Sequence, residues 1–254
     1  MRHPVDKVYV TDTGIVREHN EDDGGIFTNE AGDYLAVVAD GMGGHQAGDV
    51  ASRMTVNLLR SVWEPIHQSF SVEEAEHWLK EQIRDVNRRV YEQAASDQKM
   101  AGMGTTVVAA MCMRSFTVIA HVGDSRAYQL SEYELNLITE DHSLVNELKK
   151  SGQLTEEEAN DHPRKNVLMR AVGTEENVDI ETASVQWQAG EGLLLCSDGL
   201  TNKLNADNIQ EHLQAPGSLH ERAVSLIHTA KERGGEDNIT LAVILQSSLE
   251  KEVE

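Results

Sequence analysis

Cysteine is nearly missing from this chain, with two residues in 254. Both, Cys112 and Cys196, sit inside apolar runs, so the expectation is a pair of buried reduced thiols rather than a disulfide or a thiolate metal site. Long apolar runs are missing too. Hydrophobic residues make up 39% of the chain, but no stretch is long enough to predict a membrane span. The N-terminal MRHPVDKVYVTDTG lacks the apolar centre of a secretory leader, so the expected location is the cytoplasm. Positive charge is scarce: 22 Lys and Arg against 43 Asp and Glu give a net charge of -21 and a pI near 4.8. That balance opposes binding to nucleic acid or to an anionic membrane surface. No internal repeat is present.

What the chain does carry is an acid where folding asks for none. Residues 34–48, YLAVVADGMGGHQAG, run from apolar Leu35 to Ala39 into Asp40, then through Gly41, Gly43, Gly44 and Gly48. An unpaired charge at the end of a buried strand is costly or neutralises. The glycines let the backbone turn sharply and approach a ligand closely. Taken alone, the stretch is equally a strand-to-helix turn with Asp40 as a helix cap.

The device recurs. TVIAHVGDS ends at Asp124 and GLLLCSDG at Asp198-Gly199. Two further carboxylates stand in polar turns, Asp22 after Arg17, and Asp237 in GGEDN. Gathered at one edge, five aspartates raise one another's pKa and need cations to stay ionised. Oxygen ligands with no matching His/Cys spacing point to a hard divalent ion, Mg²⁺ or Mn²⁺. Two such ions about 3.5–4 Å apart, bridged by one carboxylate, suit an in-line displacement at phosphorus. Arg17 offers the guanidinium fork that a phosphate accepts. Singly, each acid has a plainer explanation: Asp124 can pair with Arg126, Asp237 can form a turn beside Gly234 and Gly235, and Asp22 can simply be exposed.

Hydrophobic periodicity supplies the frame. A strand is expected over 7–13, and a hairpin joins 26–29 to 34–39. Amphipathic helices follow from 47 to about 62 and from about 72 to 95. Short strands at 104–113, 117–122, 126–130 and 134–139 are spaced for antiparallel pairing. Residues 143–170 are polar and charged, with at most a short helix on each side of Gly152, and read as an inserted flap. Strands at 178–187 and 193–196, helices at 206–213 and 219–230, and a last strand at 239–245 complete the chain, with an acidic tail over 248–254. Trp63 and Trp78 are assigned to packing. The order predicts one α+β domain across 1–254, a four-layer α-β-β-α sandwich of two antiparallel sheets flanked by helices.

Nine short motifs now stand in order: Arg17-x-x-Asn20-Glu21-Asp22, Asp40-Gly41-Met42-Gly43-Gly44, Gly104-Thr105-Thr106, Val122-Gly123-Asp124-Ser125-Arg126, Asp141-His142-Ser143, His162-Pro163, Leu168-x-Arg170-Ala171-Val172-Gly173, Ser197-Asp198-Gly199-Leu200 and Asp237-Asn238. Together they resemble the metal-dependent type 2C protein serine/threonine phosphatases, in the compact bacterial form that opposes a membrane-anchored Ser/Thr kinase. The resemblance implies hydrolysis of phosphoserine and phosphothreonine in proteins by direct attack of a water bridged between two Mn²⁺ or Mg²⁺ ions. Carried over, Asp40 would bridge both core ions and the Gly41 carbonyl would ligate one. Asp22 would sit near one ion, directly or through water, while Asp198 and Asp237 would hold the other. Asp124, with Asp198, would hold a weaker third ion. Arg17 would bind the substrate phosphate, and residues 143–170 would form the flap beside the cleft. The expected partners are phosphoproteins, a cognate kinase among them, and the expected state is a monomer.

Two departures matter. Met42 stands where many eukaryotic members have a histidine proposed as general acid, and a thioether donates no proton; His45 is a nearby alternative. Asn202 stands where some members have a second aspartate for the third ion, which implies a weaker site. Glu21 is a candidate supporting residue. Two other classes stay in play: a non-catalytic phosphoprotein-binding module, which the five acids count against, and a phosphoesterase for small molecules, which the flap composition fits less well. A cysteine phosphatase is discounted, because neither cysteine precedes a phosphate-cradling loop with its arginine.

Overall fold

The computed structural model describes residues 5–43, 47–96, 98–160 and 162–246; His45 and the tail 248–254 lie outside them. In chain order, β1 (Val5–Asp12), β2 (Asp22–Thr28) and β3 (Tyr34–Met42) precede α1 (Ala47–Trp63) and α2 (Val72–Ser96). Then come β4 (Gly104–Thr105), β5 (Val107–Cys112), β6 (Phe116–Val122), β7 (Arg126–Leu130) and β8 (Leu135–Leu137). Helices α3 (Leu144–Lys150) and α4 (Glu156–Asn160) fall in the expected flap segment. The chain closes with β9 (Glu181–Gln186), β10 (Gly192–Cys196), α5 (Asp198–Thr201), α6 (Ala206–Gln214), α7 (Leu219–Glu232) and β11 (Ile239–Gln246).

One sheet runs β1-β11-β10-β7-β8 and the other β2-β3-β5-β6-β9, with β4 paired to β3. Every named pair is antiparallel. The alternation of side chains along a strand sorts them into layers. On β3, Leu35, Val37 and Ala39 pack with Leu59, Leu79 and Ile83 of α1 and α2, while Ala36 and Val38 face the other sheet. On β11, Leu241 and Val243 pack against Leu226 and Ala230 of α7, and Ala242 and Ile244 face inward. This is the expected four-layer α+β sandwich, with three apolar seams. Each fully buried leucine in them, such as Leu193, Leu194 and Leu195, contributes about 1.5–3 kcal/mol. Trp63 is fully buried, stacks on Phe70 and meets Trp78 edge-on, and donates from Nε1 to Phe27 O at 3.0 Å, so it packs as expected.

Two differences bear on function. Strand β2 begins at Asp22, so this residue is not in a polar turn; pairing with β3 overrides the turn chemistry of Asp22-Asp23-Gly24-Gly25. The short α5, opened by Asp198, was not expected. Cys112 and Cys196 are buried and free, and burial pushes both thiols up to about 12. Among the described residues no helix is long and apolar enough to cross a membrane.

Candidate metal centre

The alternation that faces Ala36 and Val38 inward carries Asp40 to the same side, at the end where both sheets stop. The register places Asp22 directly opposite Asp40. Asp198 follows β10, Asp237 precedes β11, and Asp124 lies on the turn between β6 and β7. Burial holds the Asp40 carboxyl well above the usual carboxylate range, followed by the charges of Asp22, Asp198, Asp124 and Asp237 in that order. All five acids predicted from sequence therefore meet in one cluster. Burial also pushes Asp22 up to about 7, against the pull of the Thr240 and Ser197 hydroxyls. It takes Asp198 to about 6 with help from Asp237, and Asp124 to about 8 with help from Asp198 and Asp141.

The hydrogen bonds leave this cluster incomplete. Ser197 Oγ donates to Asp22 Oδ2 at 2.8 Å, and Asn202 Nδ2 donates to Asp198 Oδ2 at 3.0 Å. The other oxygens of these two residues, Asp22 Oδ1 and Asp198 Oδ1, are buried with no hydrogen-bond partner among the described residues. A buried polar atom left unsatisfied costs about 1–3 kcal/mol, and more if charged. Two orphaned carboxylate oxygens within an all-oxygen, like-charged cluster fit a hard divalent cation. Arg17 adds a guanidinium at its edge, donating from Nη2 to Asp237 Oδ2 at 2.9 Å.

The backbone around Asp40 is tightly held. Its N–H donates to Thr106 Oγ1 at 3.0 Å; its carbonyl accepts from Thr106 N at 2.8 Å and from Thr105 Oγ1 at 2.9 Å. Gly41 N donates to Glu21 O at 3.0 Å. A Cβ at Gly41 would lie 2.2 Å from Gly48 O and 2.4 Å from Glu21 O, so glycine is required where α1 sits against β3. On the opposite rim, a Cβ at Gly14 would lie 2.3 Å from Asp237 O, and Ile15 N donates to Gly235 O at 2.9 Å. That contact brings the Arg17 loop to Asp237. Met42 pairs with Gly104 on β4; it is a strand residue, as its thioether suits.

Two of the plainer explanations are displaced, and the third stands beside a further contact. Arg126 turns away from Asp124 to Asp141, with Nε to Oδ1 at 2.8 Å and Nη2 to Oδ2 at 2.7 Å. Asp22 is buried. Asp237 does follow a glycine turn but also carries Arg17. The sequence reading assigned no role to Thr106, Ser125, Ser197 or Asn238. Asn238 ties the Arg17 loop down, accepting from Glu21 N and donating to Thr13 O and His19 O. Ser125, Ser197 and Asn238 each directly neighbour one of the five acids in sequence, whereas Thr106 is brought to Asp40 only by the folding of the chain. A groove of about 550 Å³ leads from Asp124 and Asp198 between the 143–170 segment and α5–α6, past Asp141, Asn146, Asn202 and Lys203.

Known proteins resemble this chain in sequence and fold. A family model described as Protein phosphatase 2C matches residues 15–231. The serine/threonine phosphatase stp of Listeria welshimeri is 46% identical over 95% of this chain and 96% of its own length. The serine/threonine phosphatase of S. agalactiae superposes with a TM-score of 0.91 at 41% identity, covering 95% of this chain and 99% of that one. The catalytic domain of the phosphatase PstP, solved with two manganese ions, superposes with a TM-score of 0.84 at 32% identity, over 96% of this chain and 99% of that one.

Proposed function

The chain belongs to the protein phosphatase 2C family and is a bacterial-type, metal-dependent serine/threonine phosphatase, and from that premise we propose how its residues divide the work. Asp40 would serve both of two core ions, Mn²⁺ or Mg²⁺, with the Gly41 carbonyl as a further ligand. Asp22 would serve one ion, and Asp198 and Asp237 the other. Asp124, with Asp198, would hold a weaker third. The observation that carries this reading is the pair of orphaned oxygens on Asp22 and Asp198, one on β2 of one sheet and one just past β10 of the other, inside a cluster of five acids.

Bound divalent ions supply a nucleophilic water at neutral pH and neutralise charge building on the phosphoryl group. Arg17, poised beside Asp237, turns its fork to the substrate phosphate and fixes its orientation. Met42 brings no proton to the leaving alkoxide, so that proton comes from water or from a group other than residue 42. The buried strand ends exclude bulk water and strengthen each charge interaction. Residues 143–170 act as a flap over the groove, where the peptide flanking the phosphoresidue lies. The substrates are phosphoproteins, a cognate Ser/Thr kinase among them, met in the cytoplasm by a monomer.

The test is phosphate release from phosphothreonine peptides. Release that requires Mn²⁺ or Mg²⁺ and stops with chelator is expected, and calorimetry with Mn²⁺ should count two tight ions and one weak. Metal-saturated protein without turnover, or with a single ion, would overturn the assignment.

A further inference from the structure

Asp124 sits on a turn that the chain grips from two sides. From the junction of β4 and β5, Thr106 Oγ1 lies 2.7 Å from Ser125 Oγ while accepting the Asp40 N–H. From the root of the 143–170 segment, His142 grips Gly123. His142 N donates to Gly123 O at 3.0 Å, and Gly123 N donates to His142 Nδ1 at 3.1 Å. Gly123 has φ of +107°, and a Cβ there would lie 2.6 Å from Thr106 Cγ2. The residue before Asp124 is thus wedged between Thr106 and His142.

The His142 ring is itself held. It is buried and stacks on His121 with centroids 4.6 Å apart. Its Nε2 lies 3.2 Å from Glu181 Oε1, which also accepts from Arg170 Nη1 at 2.9 Å. His142 precedes the segment and Arg170 ends it, so one carboxylate on β9 pins both roots. Met169 N to His142 O, 2.8 Å, and Leu144 N to Val167 O, 2.8 Å, zip the same roots together.

His121, His142 and Glu181 lie close enough to suggest a second metal site, but their bonds exclude it. The Gly123 N–H occupies the Nδ1 lone pair of His142, so the neutral ring carries its proton on Nε2. His121 Nε2 donates to Glu140 O at 2.8 Å, and Glu181 Oε1 is engaged by Arg170. One histidine lone pair, on His121 Nδ1, is left over.

We propose that His142 is a positioning residue for Asp124: through its bonds to Gly123 it passes the seating of the 143–170 segment to the Asp124 carboxylate. The proposal rests on the reading in which Asp124 holds the weak third ion. Asn and Gln separate the two ring nitrogens, because the Asn oxygen falls near the Nδ1 position and can still accept from Gly123 N–H, while Gln reaches toward the Nε2 position and cannot. Calorimetric titration of Mn²⁺ into wild type, Asp124→Ala, His142→Asn and His142→Gln is the experiment, with circular dichroism confirming that each is folded. Removing a partner that orients a metal ligand weakens binding by about 10–100-fold. His142→Gln is expected to weaken the third ion by that factor with the two tight ions unchanged, and His142→Asn to hold it within about threefold of wild type on the same reasoning. If Asn and Gln bind alike, or if Gln weakens all three ions equally, the positioning role is wrong. If Asp124→Ala titrates like wild type, the assignment of an ion to Asp124 fails first, whatever the His142 variants do.

Discussion

Arg126 and Asp141 meet through two parallel hydrogen bonds, whereas Asp22 and Asp40, facing each other across β2 and β3, have only like charge between them. Both pairs lie at the same end of the sandwich. In the first, and in the adjoining group of His142, Glu181 and Arg170, opposite charges and matched donors satisfy one another within the protein. In the second, burial lifts every carboxyl for which a shift is resolved, and two oxygens find no donor. A self-satisfied polar cluster is scaffold, and removing half of it leaves a charge stranded. An unsatisfied one is completed from outside, and removing part of it relieves the fold.

That contrast can be broken at either side. Asp40→Asn is expected to lower kcat/KM by well over about 100-fold, more than losing a partner that merely orients a ligand. In chelator-treated protein near neutral pH the same change should raise Tm, since it removes an acid that burial and four other aspartates force to take up a proton; a lower Tm there would contradict the contrast. Next, Arg126→Met should destabilise the fold by about 3 kcal/mol, the low end for a broken buried pair, because the Arg126 side chain keeps 30% of its surface exposed. Urea unfolding at fixed Mn²⁺ measures it, and a neutral result would mean that the pair is not scaffold.

The smallest effect concerns pH. Asp198, Asp22 and Asp124 keep their protons in the folded chain up to about 6, 7 and 8, while in the unfolded chain they release them near 4, about the free value for Asp. Their contribution to stability is complete below that lower value and is lost as pH climbs through the folded ones. Metal-free protein should therefore melt progressively earlier from about pH 5 to about pH 8, and saturating Mn²⁺ should flatten the slope. A metal-free Tm that rises over this range would show that the carboxylates are not strained by burial.

The layers were legible because β3 and β10 are short, continuously apolar runs buried on both faces, while α1 and α7 carry an apolar stripe at helical spacing. Asp40, Asp124 and Asp198 were legible because each closes such a run, whereas Asp22 and Asp237 stand in polar stretches and were legible only beside Arg17 and the Gly234-Gly235 turn. Asp22 was misread as a turn residue, since local composition there favours a turn and only pairing with β3, distant information, makes it a strand. Partner choice was equally hidden: Asp124 and Arg126 are neighbours in sequence, yet the guanidinium goes to Asp141. The hydroxyls of Thr106, Ser125 and Ser197 act through hydrogen bonds that connect separate strands, and no linear pattern records such bonds.

Asp22 and Asp40 belong to one sheet, Asp198 and Asp237 border strands of the other. A cation shared among them can exist only after the two sheets have docked, so it is a ligand of the native state and not of a folding intermediate with one sheet formed. Its stabilisation, about 2.7 kcal/mol at a concentration one hundred times Kd, then falls on the unfolding rate and leaves the refolding rate nearly unchanged. Metal becomes a rivet through the two sheets, and its loss shortens the lifetime of the folded chain more than it slows the chain's return.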